Sequence, residues 1–515
     1  MRKTISVVKM GVIAMLLFTV ASCKKNDKPS MEMDDFSELN NLRKITDLTF
    51  YALSGGTVID KISTARINTV INSATITGLQ PMEKILSIDF RPATGQLYGL
   101  SSGSRLYVIN PLTGVARMIG ANPFTPALSG TVTGFDFNPT VDRIRVVTSN
   151  GQNLRLNPET GTVAFTDLNI NGVPNAMITG AAYTNNIAGA ATTTLYDIDI
   201  TTQKLYKQIP PNDGKLVEVG PLKLKIEGEG GFDIAPKDSI AIGLYSENKK
   251  STLFRVNLRT GEAKKLAKYE NGKAYTGIAI QTDPVGYAVS QANELIIFNP
   301  ANPVTSVFKA INGLAAGEKV LGLDFRPLNG QLYGLTSNSR IITLNASSGA
   351  SAAVGTLSIP LSGTDFGFDF NPTVDRIRIV SNTGQNLRYN PNDPSLPVVI
   401  DGNLNPGMPH VTAAAYTNNF AGATSTMLFD IDVNTDKLYL QNPPNNGVVT
   451  EIGSLGVNVN NSSGFDIGGT SGTAWAVLSV KGNSTLYTIN LTTGTATEKA
   501  TFELLVNGFT MGLGF

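Results

Sequence analysis

Residues 134–145, Gly-Phe-Asp-Phe-Asn-Pro-Thr-Val-Asp-Arg-Ile-Arg, recur without change as residues 367–378, a displacement of 233. Gly151–Arg155 returns as Gly384–Arg388 and Ala181–Asn186 as Ala414–Asn419, both at 233, and Gly95–Leu100 returns as Gly330–Leu335 at 235. Self-similarity on this scale means that one unit occurs twice. The two copies span 46–284 and 285–515. Each contains a shorter period, marked by Gly-Phe-Asp-Phe or a relative of it. The marked positions are Asp89, Asp136, Ala182, Asp233, Ala279, Asp324, Asp369, Ala415 and Asp466, spaced by 47, 46, 51, 46, 45, 45, 46 and 51. The order of spacings itself repeats.

Each period reads as short strands. In residues 88–119, Ile88–Phe90, Gln96–Leu100, Arg105–Ile109 and Val115–Ile119 alternate β-branched and aromatic residues with others. Arg91–Gly95, Ser101–Ser104 and Asn110–Gly114 supply the breaks. Windows with a 3.6-residue apolar period are missing, so almost no helix is expected. Four strands per period, repeated, predict an all-β chain folded as a β-propeller of about ten four-stranded blades. The first period, from Leu48, lacks its leading strand, and the terminal Thr510–Phe515 resembles Tyr275–Ile280. Two closures follow. Strands 276–280 and 510–515 each close a five-bladed ring, which is the simpler duplication. Alternatively, 510–515 closes one ten-bladed ring.

The Gly-Phe-Asp-Phe-Asn-Pro-Thr-Val-Asp-Arg-Ile-Arg block followed by Gly-Gln-Asn-Leu-Arg resembles the bacterial family described as domain of unknown function 4394. The resemblance covers nearly all of 46–515. It implies a propeller fold and an extracytoplasmic location, and it lends no catalytic residue.

Composition narrows function. The 515 residues include one Cys, one His and one Trp, with 16% charged residues and a net charge of +1. One Cys excludes a disulfide framework. A triad or a His-based metal site would have to use His410. A nucleic-acid binder is normally basic, and this chain is not, so no nucleic-acid partner is expected.

The single Cys has a specific place. Arg2, Lys3 and Lys9 precede the apolar run Met10–Val20, which is too short to span a bilayer, and Val20-Ala21-Ser22-Cys23 follows. This resembles a bacterial lipobox. Residues 1–22 are then a lipoprotein signal peptide and Cys23 is the lipidated N-terminus. The polar, mixed-charge segment 23–45 reads as a flexible tether. Loss of residues 1–22 removes three cations and no acids, leaving a mature net charge of −2. The lipid is the expected membrane contact, with the outer membrane as the expected location and its side left open. Lys24–Asp27 loosely resembles signals that carry some lipoproteins to the cell surface.

Candidate site residues come from the duplicated block. Strand alternation puts Phe135 and Phe137 on one face and Asp136 on the other. Arg143, Arg145 and Arg155, with their twins Arg376, Arg378 and Arg388, either pair with carboxylates such as Asp136 and Asp142 or face an anionic or sugar ligand. Asp136, Asn138 and Asp142, with Asp369, Asn371 and Asp375, form oxygen-rich sets that suit Ca2+. Asp197 with Asp199, and Asp430 with Asp432 and Asp436, are further oxygen-rich sets. None of these sets matches an EF-hand, so no cofactor is expected beyond an optional Ca2+.

His410 faces a twin that is Met177, and Trp475 a twin that is Ile242, so neither carries chemistry shared by the copies. No catalytic residue is assigned. The expected role is a non-enzymatic binding or scaffold module for a protein or glycan. The alternative is a hydrolase or lyase acting on a polysaccharide or lactone through channel acids or Ca2+. One observation separates them. The marked aspartates are expected to lie dispersed in strand turns, whereas convergence within about 5 Å on one axis favours ion-assisted chemistry.

Overall fold

The structure, a computed structural model, describes residues 48–515 apart from 131–132, 237–239, 270–271 and 503. The signal peptide, Cys23 and the tether expected over 23–45 lie outside the described residues. Among those described, regular structure is antiparallel sheet, with three single-turn 3-10 segments at Thr64–Arg66, Pro211–Asp213 and Pro444–Asn446.

The strands form ten sheets of four. Eight sheets are continuous stretches of chain, such as Thr133–Asn138, Arg143–Thr148, Asn153–Leu156 and Val163–Thr166. The leading strand of each is largely buried, Ile178–Tyr183 along its whole length, and consists mostly of apolar or small residues interrupted by the marked aspartates. The last strand is largely exposed, as in Ala263–Lys268 and Ser351–Thr356, and carries charged or small polar residues. Leading strands therefore gather at the centre and trailing strands form the rim.

The remaining two sheets settle the closure. Thr49–Ser54 pairs antiparallel with Tyr275–Ile280, the last strand of the first copy. Gly286–Ser290 pairs with Val506–Met511, the last strand of the chain, which begins four residues before the expected 510–515. The innermost strands Tyr275–Ile280, Ile85–Phe90, Thr133–Asn138, Ile178–Tyr183 and Glu227–Ile234 pack side by side in a closed cycle. Val506–Met511, Val320–Phe325, Phe366–Asn371, Val411–Tyr416 and Asn461–Ile467 form a second one. The fold is two five-bladed propellers, each latched by a strand from its own end, which leaves only the short outer strands of the blades as edges.

Close approach of the inner strands explains the glycine of the repeated motif. A β-carbon on Gly134 would lie 2.8 Å from the backbone nitrogen of Ala181 on the next blade, and one on Gly367 would lie 2.7 Å from that of Ala414. The flanking aromatics fill the space between blades. Phe137 meets Tyr98 edge-on at 5.2 Å, and Phe370 meets Tyr333 at 5.1 Å.

The rings share a core. Ala93 and Ala188 of the first pack with Val285, Tyr287, Phe325, Leu332 and Leu513. The Tyr287 hydroxyl donates to the Ala93 carbonyl at 2.8 Å, and the Gly514 amide to the Thr94 carbonyl at 2.8 Å. Arg91, fully buried, donates to the Gly330 carbonyl at 2.9 Å. Its guanidinium also forks onto Asp142 and reaches Glu159 at 3.0 Å.

Candidate functional site

The marked aspartates do not disperse. Carboxylate oxygens of Asp89, Asp136 and Asp233 lie within 4.8 Å of one another, as do those of Asp324, Asp369 and Asp466. All six residues are buried. This corrects the expectation from strand turns, and the reason is positional. Each aspartate sits on an innermost strand, on the side facing the next blade, and closure of five such strands turns that side toward the axis. The other two places in each ring hold Ala182 and Ala279, or Ala415 and Thr510.

The carboxylates also staple the rings. Asp89 accepts from the Phe137 amide at 2.8 Å, Asp136 from Tyr183 at 3.0 Å and Asp233 from Ile280 at 2.6 Å. In the second ring Asp324 accepts from Phe370 at 2.7 Å, Asp369 from Tyr416 at 3.1 Å and Asp466 from Met511 at 2.6 Å. Every acceptor ties its strand to the neighbouring blade.

Burial pushes all six carboxyls up. Asp89 and Asp136 rise well above the usual range, driven by burial and then by the neighbouring carboxylates, and Asp233 reaches about 7. Asp324 and Asp369 behave alike for the same causes, while Asp466 reaches about 6. Asp466 has extra donors. The Thr510 hydroxyl lies 2.8 Å from its Oδ2, and the Asn419 amide nitrogen 3.4 Å from its Oδ1. The first ring has Ala279 in place of Thr510. Asp369 Oδ2 and Asn419 Oδ1 are buried without a hydrogen-bond partner. Asn186, the twin of Asn419, is buried with both side-chain polar atoms unpartnered.

Above the first triad a gap of about 10 Å3 opens along the axis, lined by Ser87, Thr133, Thr179, Gly180, Gly231 and Gly277 among others. It admits about one water.

The sequence-derived sets are not brought together in the way expected. Asp136 joins the axial triad. Asn138 instead caps its own turn, accepting from Thr140 at 3.0 Å, as Asn371 does from Thr373 at 3.0 Å. Asp142 pairs with Arg91 and Asp375 with Arg326, so neither points at Asp136 or Asp369. The arginines are also held internally. Arg145 meets Asp167 at 2.6 Å, Asn153 at 2.7 Å and Asn212 at 2.8 Å, and Arg155 clasps the same Asp167 with two bonds of 2.8 Å. Arg378 and Arg388 share Asp401 in the same manner. Arg143 and Arg376 donate to the backbone carbonyls of Asp142 and Asp375. Asp199 and Asp432 cap turns, accepting from Thr201 at 2.9 Å and from Asn434 at 2.8 Å. The signal for Asp167 and Asp401 was hidden, because a one-residue insertion displaces them by 234 rather than 233. That for Asn186 and Asn419 was visible, at the end of the repeated Ala-Ala-Tyr-Thr-Asn-Asn block.

Two rings of five four-stranded blades, each with a buried carboxylate triad on its axis, define a tandem five-bladed β-propeller. The chain belongs to the family described as Domain of unknown function (DUF4394), whose profile matches residues 59–279 and 294–510. No curated protein matches it. Two solved structures are similar at 12% identity. PorZ, described as an essential bacterial surface component of the type-IX secretion system of Porphyromonas gingivalis, aligns over 88% of this chain and 57% of its own, with a TM-score of 0.26. The extracellular domain of the putative one component system BT4673 from B. thetaiotaomicron aligns over 88% and 66%, with a TM-score of 0.25. The chain thus spans little more than half the length of the first and about two thirds of the second.

Proposed function

We propose that this chain is a lipid-anchored, extracytoplasmic binding or scaffold module that engages a protein or glycan through its propeller rims. The observation that carries this reading is the state of the axis. Its acids are buried and committed to stapling blades, and the adjoining gap in the first ring admits a water-sized group, not a sugar ring. Ligands are then left to the turns of the outer strands, where propellers present variable surface. The lipobox-like segment ending at Cys23 supports the anchor, and its location at the outer membrane is part of the proposal.

A second reading has one observation in its favour. Three carboxylates converging on each axis are what an ion-assisted hydrolase or lyase would use. The two readings separate in one assay. The chain from residue 23 onward with Cys23→Ser is offered to glycan arrays and envelope protein extracts. Saturable binding that leaves the ligand intact supports the binding module. Turnover of a bound polysaccharide or lactone, lost in Asp136→Asn and Asp369→Asn, overturns it in favour of the enzyme.

A further inference from the structure

We propose that the axial triad of each ring, with the asparagine that follows the fourth inner strand, is a site for a hard divalent cation of the Ca2+ class. The acids alone do not carry this, because carboxylates that staple strands need no ion. The second observation is the amide. Asn419 is 1% exposed and lies against Asp466, yet its oxygen has no partner. Its nitrogen reaches Asp466 at 3.4 Å, long for an N–H···O bond. A buried amide oxygen left unpaired beside a carboxylate is costly unless something positive faces it. Rotation of the amide by half a turn, which changes no packing, would present that oxygen where the nitrogen stands. Asp369 Oδ2 is the other buried, unpartnered oxygen of the group.

The dimensions agree. Oxygens bound to Ca2+ at about 2.3–2.6 Å stand at most about 4.6–5.2 Å apart, and the triad oxygens, all within 4.8 Å of one another, are close enough to share one such ion. Mg2+ demands near-ideal octahedral geometry at about 2.0–2.1 Å and gives up its waters reluctantly, so a buried group of carboxylates suits it less. Stapling and ligation are compatible, since an oxygen that accepts one backbone N–H keeps a second lone pair, and Asp369 Oδ2 is wholly unpartnered. Asp466 Oδ2 accepts from both the Met511 amide and the Thr510 hydroxyl, and it is freed when that hydroxyl turns to Asp324 Oδ1 at 3.1 Å. The first ring repeats the triad, and Asn186 repeats the orphaned amide.

The second ring supplies its own reporter. Trp475 is the sole tryptophan of the chain and stands directly opposite Asp466 in the sheet register. Directly opposed residues share a face with β-carbons about 4.5–5.5 Å apart. In the first ring the residue opposite Asp233 is Ile242.

The test uses the full mature chain with Cys23→Ser, stripped with chelator. Tb3+ is titrated with excitation through tryptophan. The expected result is saturable sensitised emission, displaced by Ca2+ at concentrations where Mg2+ fails. Emission falls at least tenfold in Asp369→Asn and in Trp475→Ile. Asn419→Leu weakens Tb3+ binding several-fold while leaving all three acids in place, which covers the case in which Asp369→Asn fails to fold. Ca2+ should also raise the melting temperature of the wild type and of Trp475→Ile alike. Wild-type protein that shows no sensitised emission and no Ca2+-dependent shift in melting would overturn the proposal. Emission unaltered by both Asp369→Asn and Asn419→Leu would overturn it as well. Neither outcome bears on the binding-module reading.

Discussion

Asp197 is the best place to measure what burial costs this fold. It lies on the strand Leu195–Asp199, is 0% exposed, and neither of its carboxyl oxygens has a hydrogen-bond partner. Burial pushes its carboxyl up to about 8, against the opposing charge of Arg145. Asp430 is its twin in the second ring, pushed to about 8 by the same cause and opposed by Arg378. In the unfolded chain an aspartate titrates near about 3.9. Below that value both states are protonated and the group adds no pH dependence. Between about 4 and about 8 the unfolded state ionises and the folded state does not. Stability falls there by about 1.4 kcal/mol per pH unit per site and levels off above the folded value. Asp197→Asn removes the titration and keeps the shape. Relative to wild type it should therefore gain about 4 kcal/mol between pH 5 and pH 8, or roughly 10 °C in the melting of one ring. The assay is thermal unfolding followed by circular dichroism at both pH values, without divalent ions. The difference between variant and wild type cancels the other buried acids and the constant cost of the amide. A difference equal at pH 5 and pH 8 would refute the reasoning, since it would mean that Asp197 is already ionised in the folded state.

Other outcomes follow from the same packing. Gly134→Ala should destabilise the first ring by about 1–3 kcal/mol, because its β-carbon has the Ala181 backbone 2.8 Å away; melting temperature is the readout. Arg91→Met leaves Asp142 and Glu159 buried without their cation and should cost about 3–5 kcal/mol in denaturant titration, part of which Glu159→Gln restores. Arg326→Met should cost less, because its partner Asp375 keeps 23% of its side chain exposed and Asn392 stands where the first ring has Glu159. Deleting residues 506–515 removes the latch of the second ring, so limited proteolysis should degrade 285–505 while a fragment covering 48–284 persists.

How much of this was legible in the sequence depends on the range of the interaction. Blades were legible because turn residues such as Asn110–Gly114 act locally, and the duplicated order of spacings fixed how many there are. The role of the closing strands was legible in outline, because the chain ends on a segment like Tyr275–Ile280, but the register differs by four residues: the strand that closes the ring is Val506–Met511, not 510–515. Side-chain partners were not. Arg145 and Asp142 are three residues apart and invite pairing, yet Arg145 turns to Asp167 just past the outer strand of its own blade, and Asp142 to Arg91 on the neighbouring blade. Partners 22 and 51 residues away carry no local pattern, and the pairing of neighbours in sequence was the wrong default.

The aspartate triads and the choice between one ring and two turn out to be a single question. Alternation along Gly-Phe-Asp-Phe put Asp136 opposite the phenylalanines, which is right for one blade and silent about what the opposite side faces. In a closed array the diameter grows roughly in proportion to the number of elements. Ten blades around one axis would hold the innermost strands about twice as far from it as five do, and carboxylates from blades 46 residues apart would then stand separated, as dispersal requires. Five blades bring them within 4.8 Å. The convergence of Asp89, Asp136 and Asp233 is thus a consequence of where Tyr275–Ile280 pairs. The motif could not announce an axial cluster until the ring size was known. It also follows that positions 182 and 279 cannot readily carry acids as well. A fourth carboxylate at this radius would add like charge to a dry centre that already holds three.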